Sequence, residues 1–364
     1  MPPRFLALLA FALTPACVGL SSAVPDDADP ESPSGPTIMP MPTFTPPGGG
    51  VPGDTGAEDD SGSPGDTDSG GGGGDSDNPL AGLRFWVDPD SNAAREAAGA
   101  SADEAALWSK IADHSVAKWL GGWSGDVAVT VGGVMDTADA EGAAMAFVVY
   151  NLPNRDCGGY SGGGAADTAA YEAWIDGIAT GLGGRAAAIV LEPDGLSMMD
   201  CLSSSEADDR FAMLAYATAT LQAAGGVVYL DAGHSAWHPV DEMADLLVQA
   251  GVSEADGFAL NTSNFEGTDD ILAYGEAISA LTGGAHFVAD TARNGLGPTS
   301  DHAWCNPDGR ALGLPPTVDT GAPLVDGLLW IKAPGESDGS CNGGPSAGTW
   351  WPEYALGLAE RAAW

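Results

Sequence analysis

The sequence predicts an α/β protein whose parallel strands curl into a (β/α) barrel. Three observations carry this. Over about 280 residues from Leu83 onward, short apolar runs alternate with longer Ala- and Leu-rich segments at helical spacing. Several of the runs are apolar at every position, as in a strand covered on both faces. Val87-Asp-Pro-Asp-Ser91 follows the first run and is nothing like the glycine-rich phosphate loop that a doubly wound open sheet would need there.

In chain order the strand candidates are Phe85–Val87, a weaker one near Trp119, Met145–Tyr150, Ala187–Leu191, Val227–Leu230, Gly257–Leu260, His286–Ala289 and Leu328–Ile331. Between them, helices are predicted over Ala93–His114, Ala166–Leu182, Glu206–Ala224, Asp241–Ala250 and Asp269–Leu281. The Ala187–Leu191 run ends abruptly at Glu192-Pro193-Asp194-Gly195, where proline removes a backbone donor and glycine permits a turn. Two carboxylates at the end of a buried strand are costly to ionise. Desolvation raises their pKa and makes Asp194 or Glu192 a candidate proton donor, against the plainer alternative of an acidic turn at the sheet rim.

The first residues lie outside the fold. Met1–Arg4 precedes an apolar stretch from Phe5 to Thr14, and small residues lead to Cys17. Residues 1–16 read as a secretory signal, too short to span a membrane. Cys17 stands where a bacterial lipoprotein would be cleaved and acylated, although proline and threonine make an imperfect lipobox. Residues 17–79 form a Pro-, Gly-, Ser- and Asp-rich linker too poor in apolar residues to order itself, and 80–364 form the folded domain. The acidic triplets of the linker lack the spacing of a calcium loop. Setting Cys17 aside, Cys157, Cys201, Cys305 and Cys341 remain, an even set in an exported chain and none at zinc-site spacing. Two disulfides are expected, with three possible pairings.

The formal charge is −39. Twelve acids fall in 18–79, which leaves about −28 on the folded part. Such a surface repels nucleic acid and anionic membranes and suits a neutral or cationic partner. A membrane is expected only through a lipid on Cys17, and the protein is expected to be a monomer.

Where the strands stop, chemistry-bearing residues collect. The runs lead into Asn151–Cys157, Glu192–Gly195, Asp231–His238, Asn261–Asn264, Asp290–Gly295 and Lys332–Gly339. In a parallel barrel these ends share one face, where such folds place their sites. Tryptophans stand beside several of them: Trp86, Trp123, Trp237, Trp304, Trp350 and Trp351. An indole there is either a core residue with its N–H satisfied or a platform for the apolar face of a sugar, and Trp237 and Trp304 are read as platforms. His234 and His238 lack the intervening glutamate of a zinc motif, and no nucleophile elbow is present. Neither metal nor cofactor is expected. Carboxylates with aromatics point to glycoside hydrolysis.

The motifs Val148–Cys157, Leu191-Glu-Pro-Asp194, Tyr229–Trp237, Asn261–Asn264, Asp290–Gly295, Trp304-Cys-Asn306 and Trp330–Gly339, in this order, resemble glycoside hydrolase family 6 over residues 83–364. The resemblance implies a distorted barrel of seven strands with an open cleft, and an inverting cellulase of β-1,4-glucan. It implies Asp194 as general acid, Asp156 as the neighbour that keeps its proton in place, Asp338 as base through water, and Asp231 as a further cleft carboxylate. Tyr150 would press on the distorted sugar, and Lys332 and Glu336 would hydrogen-bond it. Trp86, Trp237, Trp304, Asn261 and Asn264 complete the expected substrate contacts. Ser161, which would help hold water, stands one place out of the family's register. The resemblance also pairs Cys157 with Cys201 and Cys305 with Cys341. Inversion needs acid and base about 6.5–9.5 Å apart. The segments 157–165 and 339–350 are short and leave a groove unroofed, which favours internal cleavage. The rival expectations are a cellobiohydrolase and a catalytically silent glycan-binding lipoprotein.

Overall fold

The computed structural model describes residues 77–364; the signal, Cys17 and nearly all of the linker lie outside the described residues. Seven parallel strands form one sheet in sequence order: β1 Lys118–Leu120, β2 Met145–Val149, β3 Ala187–Leu191, β4 Gly226–Asp231, β5 Gly257–Leu260, β6 Phe287–Asp290 and β7 Val325–Leu329. The expected first strand is absent. Phe85 makes a single bridge to Ala144, and the chain then turns away at Asp88-Pro-Asp. This leaves seven strands rather than the eight candidates of the sequence.

Eight α-helices accompany them among the described residues. The predicted helix over 93–114 is two, α1 Asn92–Gly99 and α2 Ala102–Ala112, because Ser101 caps the second by accepting from Glu104 N. α3 Val127–Ala140, unforeseen, is started by Asp126 accepting from Val129 N. α4 Thr168–Leu182, α5 Ser204–Ala223, α6 Val240–Gln249 and α7 Thr268–Leu281 match expectation closely, and α5 begins with a capping box of Ser203 and Glu206. α8 Pro352–Arg361 closes the chain with proline in its first turn.

The continuous apolar runs are explained by two cores. Phe147, Val149, Ile189 and Leu191 point outward to α3–α7, while Val148, Val190, Tyr229, Val288 and Ile331 fill the barrel interior. Successive residues take opposite faces, so both must be apolar. Each buried Val, Leu or Ile contributes about 1.5–3 kcal/mol. β7 starts earlier than expected because its Asp326, fully buried, accepts from Tyr229 Oη at 2.8 Å and pairs with His286 Nδ1 at 2.8 Å. No pairing joins β1 to β7 among the described residues. Instead Ala117 N donates to Trp330 O at 2.9 Å and Trp119 Nε1 to Ile331 O at 2.9 Å. A third core packs Ala93, Trp108, Ile111, Trp330, Tyr354 and Leu358 together, so α1, α2 and α8 cover the side where an eighth strand would stand.

Candidate active site

Strand register assembles the site. Val149 pairs with Leu191 and Leu191 with Leu230, so the next residues, Tyr150, Glu192 and Asp231, emerge side by side at one rim. That rim borders a groove of about 1200 Å³. Of the residues expected from sequence, Trp86, Tyr150, Asp156, Ser161, Asp194, Trp237, Asn264, Trp304, Lys332, Glu336 and Asp338 line it. Asp231 and Asn261 do not.

Asp194 sits in the left-handed region (φ 65°), which turns its carboxyl into the groove just past the strand. Its Oδ2 accepts from Tyr150 Oη at 3.4 Å, and its own N–H donates to Asp231 Oδ1 at 3.0 Å. Burial, then the charges of Asp231 and Asp156, push its pKa up to about 7, opposed by the Tyr150 bond. Asp231 lies beneath it, 2 % exposed and itself pushed up to about 6, chiefly by burial. It is a supporting carboxylate rather than one that meets the groove. Glu192, also raised to about 7 by burial, is the poorer donor of the two first considered. Its oxygens are engaged by Asn151 N at 2.9 Å and Leu152 N at 3.1 Å, which ties the end of β3 to the end of β2.

Asp156 lies in a 3-10 turn with three positive-φ residues close together (Asn154, Asp156, Cys157), and its Oδ2 accepts from Ser161 N at 2.6 Å. Arg155 beside it is buried and donates to Tyr150 O and Ser161 O, each at 2.7 Å. Sequence reasoning gave Arg155 no separate role, although a lone cation directly before Asp156 was the available signal. Cys157–Cys201 joins this loop to the one after Asp194, and Cys305–Cys341 joins the loops after β6 and β7.

Asp338 is of opposite character. Burial alone would raise its pKa, but Arg293 Nη1 at 2.8 Å, Lys332 Nζ at 3.5 Å and the Asn306 amide outweigh it and hold the carboxyl below its ordinary value. Glu336, raised by burial, lies in the groove with Lys332. The site thus holds one carboxyl that keeps its proton near neutrality and another kept ionised, the division of labour that acid–base chemistry requires.

Trp237 and Trp304 are 37 % and 50 % exposed at the groove, Trp237 stacked on His238 with ring centroids 5.9 Å apart. Trp86 reaches the groove with its Nε1 donating to Glu141 Oε1 at 3.0 Å. Asn261 departs from expectation. It is fully buried; its Nδ2 donates to Asp290 O at 2.9 Å and its Oδ1 accepts from Glu266 N at 3.1 Å, so its amide braces the end of β5. His238 is likewise engaged, by Ser197 O at 2.9 Å and Glu242 at 3.1 Å. The short loop after β2 extends to the far lip, where Tyr160 meets Trp304 with ring centroids 6.0 Å apart and lies over Gly339.

The model of glycosyl hydrolases family 6 matches residues 80–362. Endoglucanase A of Cellulomonas fimi is 46 % identical over 284 residues, covering 77 % of this chain and 62 % of that protein. Endoglucanase 1 of Streptomyces halstedii is 42 % identical over 283 residues, covering 74 % and 87 %. Among solved structures, the endoglucanase Cel6 from Mycobacterium tuberculosis, in complex with a thio-linked cellobioside, superposes with a TM-score of 0.74 at 46 % identity over 78 % of this chain and 98 % of that one. Cellobiohydrolase II from Humicola insolens, in complex with glucose and cellotetraose, gives a TM-score of 0.68 at 26 % identity, covering 78 % and 99 %. With a seven-stranded barrel, a groove of carboxyls and indoles, and a family match over nearly all the described residues, the chain belongs to family 6 of the glycosyl hydrolases.

Proposed function

We propose that the protein is an endo-β-1,4-glucanase that hydrolyses cellulose or a related β-glucan with inversion at the anomeric carbon. The observation that carries the reading is Asp194, half-buried at the groove with its pKa near 7 and therefore able to hand a proton to the departing glycosidic oxygen. Asp156 and Asp231 keep that proton on by their charge. Asp338, held ionised by Arg293 and Lys332, orients water on the far face of the sugar and takes up its proton through water. Ser161 lines the groove near Asp156 and is assigned to that water. Tyr150 limits the space beneath the reacting sugar. Lys332, Glu336 and Asn264 hydrogen-bond the chain, and Trp86, Trp237 and Trp304 carry its apolar faces.

Internal cleavage is supported by the short loops after β2 and β7 and by the endoglucanase relatives. Residues 1–16 are assigned as an export signal, 17–79 as a tether and Cys17 as its lipid anchor. Two disulfides fit an oxidising location.

The test is Asp194→Asn. Reducing-sugar release from carboxymethylcellulose should fall at least about a hundredfold with the melting temperature retained, consistent with a lost general acid. Unchanged turnover in that variant would falsify the assignment. Native protein that binds glucan and releases no sugar would instead favour a silent binding lipoprotein. Early accumulation of cellobiose with little loss of viscosity would favour a cellobiohydrolase. Proton NMR of a soluble oligosaccharide digest should show the α-anomer first; a β-anomer product refutes inversion.

A further inference from the structure

The loop between β1 and α3 holds an indole that the reading above does not use. Trp123 is 58 % exposed at the lip of the groove, yet it is held firmly. Gly121 N donates to Ser124 Oγ at 3.1 Å, and Ser124 N returns a bond to Gly121 O at 2.9 Å. The benzo ring lies against Gly121, where an added Cβ would come within 2.5 Å of it. Any other residue at 121 would displace the indole. A surface side chain with no task needs neither a closed loop nor a bare backbone to lie on.

What Trp123 touches is informative. The Arg155 guanidinium lies 5.0 Å from its ring centroid and 4.6 Å from that of Tyr150, so the cation is held against two aromatic rings. The same guanidinium donates to the carbonyls of Tyr150, Ser161 and Gly162 at 2.7, 2.7 and 3.4 Å. The phenol contacted by Arg155 is the one that donates to Asp194. One cation therefore joins the end of β2 to the loop that carries Asp156 and Ser161, and Trp123 contacts it from the groove's lip.

We propose that Trp123 is a positioning residue that acts through Arg155, holding Tyr150 and the 156–162 loop in the geometry the reaction needs. This rests on the glucanase reading and extends it to a residue outside the reacting groups. The physical reason is solvation. A planar guanidinium stacked on a ring keeps its hydrogen bonds directed at fixed carbonyls, whereas one facing water exchanges them freely. Displacement of positioned groups by about 1 Å costs on the order of a hundredfold in rate.

The experiment is steady-state kinetics of Trp123→Ala and Trp123→Phe on a soluble chromogenic cello-oligosaccharide, with thermal melting of each. For Trp123→Ala, kcat should fall about tenfold while KM changes less than about threefold, and Trp123→Phe should restore at least half of kcat. The Tyr150 bond favours the ionised form of Asp194, so loosening it should move the basic limb of the alanine variant's profile to higher pH. A rise in KM with kcat intact would make the indole a sugar platform and overturn the proposal. So would an unchanged kcat, or a loss that phenylalanine does not rescue. Should the alanine variant fail to fold, Trp123→Leu replaces it, with native kcat again the refuting result. Native protein with no activity on the oligosaccharide would count against the glucanase reading itself, which separates the two failures.

Discussion

Asp231→Asn isolates how the proton is kept on Asp194. Asparagine retains the oxygen that accepts from Asp194 N and Gly233 N, at 3.0 and 3.1 Å in the native protein, and replaces the other oxygen, with the charge, by an amide NH2. Asp231, with a pKa of about 6, is largely ionised at pH 7 and is the charged neighbour with the largest effect on Asp194. A like charge a few ångströms away is worth about one pKa unit or more. The sign follows directly: the acid works protonated, activity falls as pH rises through about 7, and removing the neighbouring charge lowers that point. With a drop of about one unit, the protonated fraction at pH 7 goes from about a half to about a tenth, a roughly fivefold loss of kcat/KM. At pH 5 both forms are almost wholly protonated, and the variant should match the native enzyme closely. The assay is the pH profile of kcat/KM on a soluble substrate, which reports the free enzyme. An equal loss at pH 5 and pH 7, or a basic limb that does not move, would refute the argument and give Asp231 a direct chemical role.

Two further outcomes test the supports of the site. Arg293→Met leaves Asp338 buried without its closest cation, at a cost of about 3–5 kcal/mol, so the melting temperature at pH 7 should fall by roughly 10 °C. Asp338 has a depressed pKa, so the pair stabilises above the unfolded carboxylate value of about 3.9 and loses its effect as pH falls through the lower folded one. The deficit should shrink toward pH 3; a deficit constant with pH would contradict the ion-pair account. Replacing Cys157 and Cys201 together by serine opens a loop with a sequence separation of 44 residues and should cost about 4 kcal/mol by loop entropy, read as a denaturation midpoint. A loss under about 1 kcal/mol would mean that the catalytic loops are held by other contacts.

Much of the architecture was legible because the strands are so apolar. Ala187–Leu191 and Gly257–Leu260 match the sequence reading end for end, since both faces of each are covered. β7 was misplaced because Val325-Asp-Gly reads as a turn until Tyr229 and His286 supply partners for the aspartate. α3 was hidden by valines, threonine and a glycine pair, all poor helix formers that packing overrides, with Val131 and Met135 fully buried. For the site, carboxylates at strand ends were readable singly. Their separation into a groove-facing Asp194 and an underlying Asp231 depends on strand register. Asn261 looked like a substrate contact because it is polar at a strand end, and only tertiary structure shows its amide bonded to neighbouring backbone. Arg155 and Trp123 are stacked across two loops, and no fixed spacing in the sequence pairs them.

The missing eighth strand changes what kind of molecule can be held. A barrel closed all the way round surrounds its site with eight strand ends and the loops that follow them. Here the sheet stops at β1 and β7, with an amide and an indole among the groups bonded across the gap, while helices cover the outside. Trp119 and Lys332, whose ammonium sits 5.7 Å from that ring, therefore occupy a break in the wall and not a continuous rim. For the glucan proposed above, such a break gives a rigid, extended chain room to lie along its own axis, without having to bend or to offer a terminus.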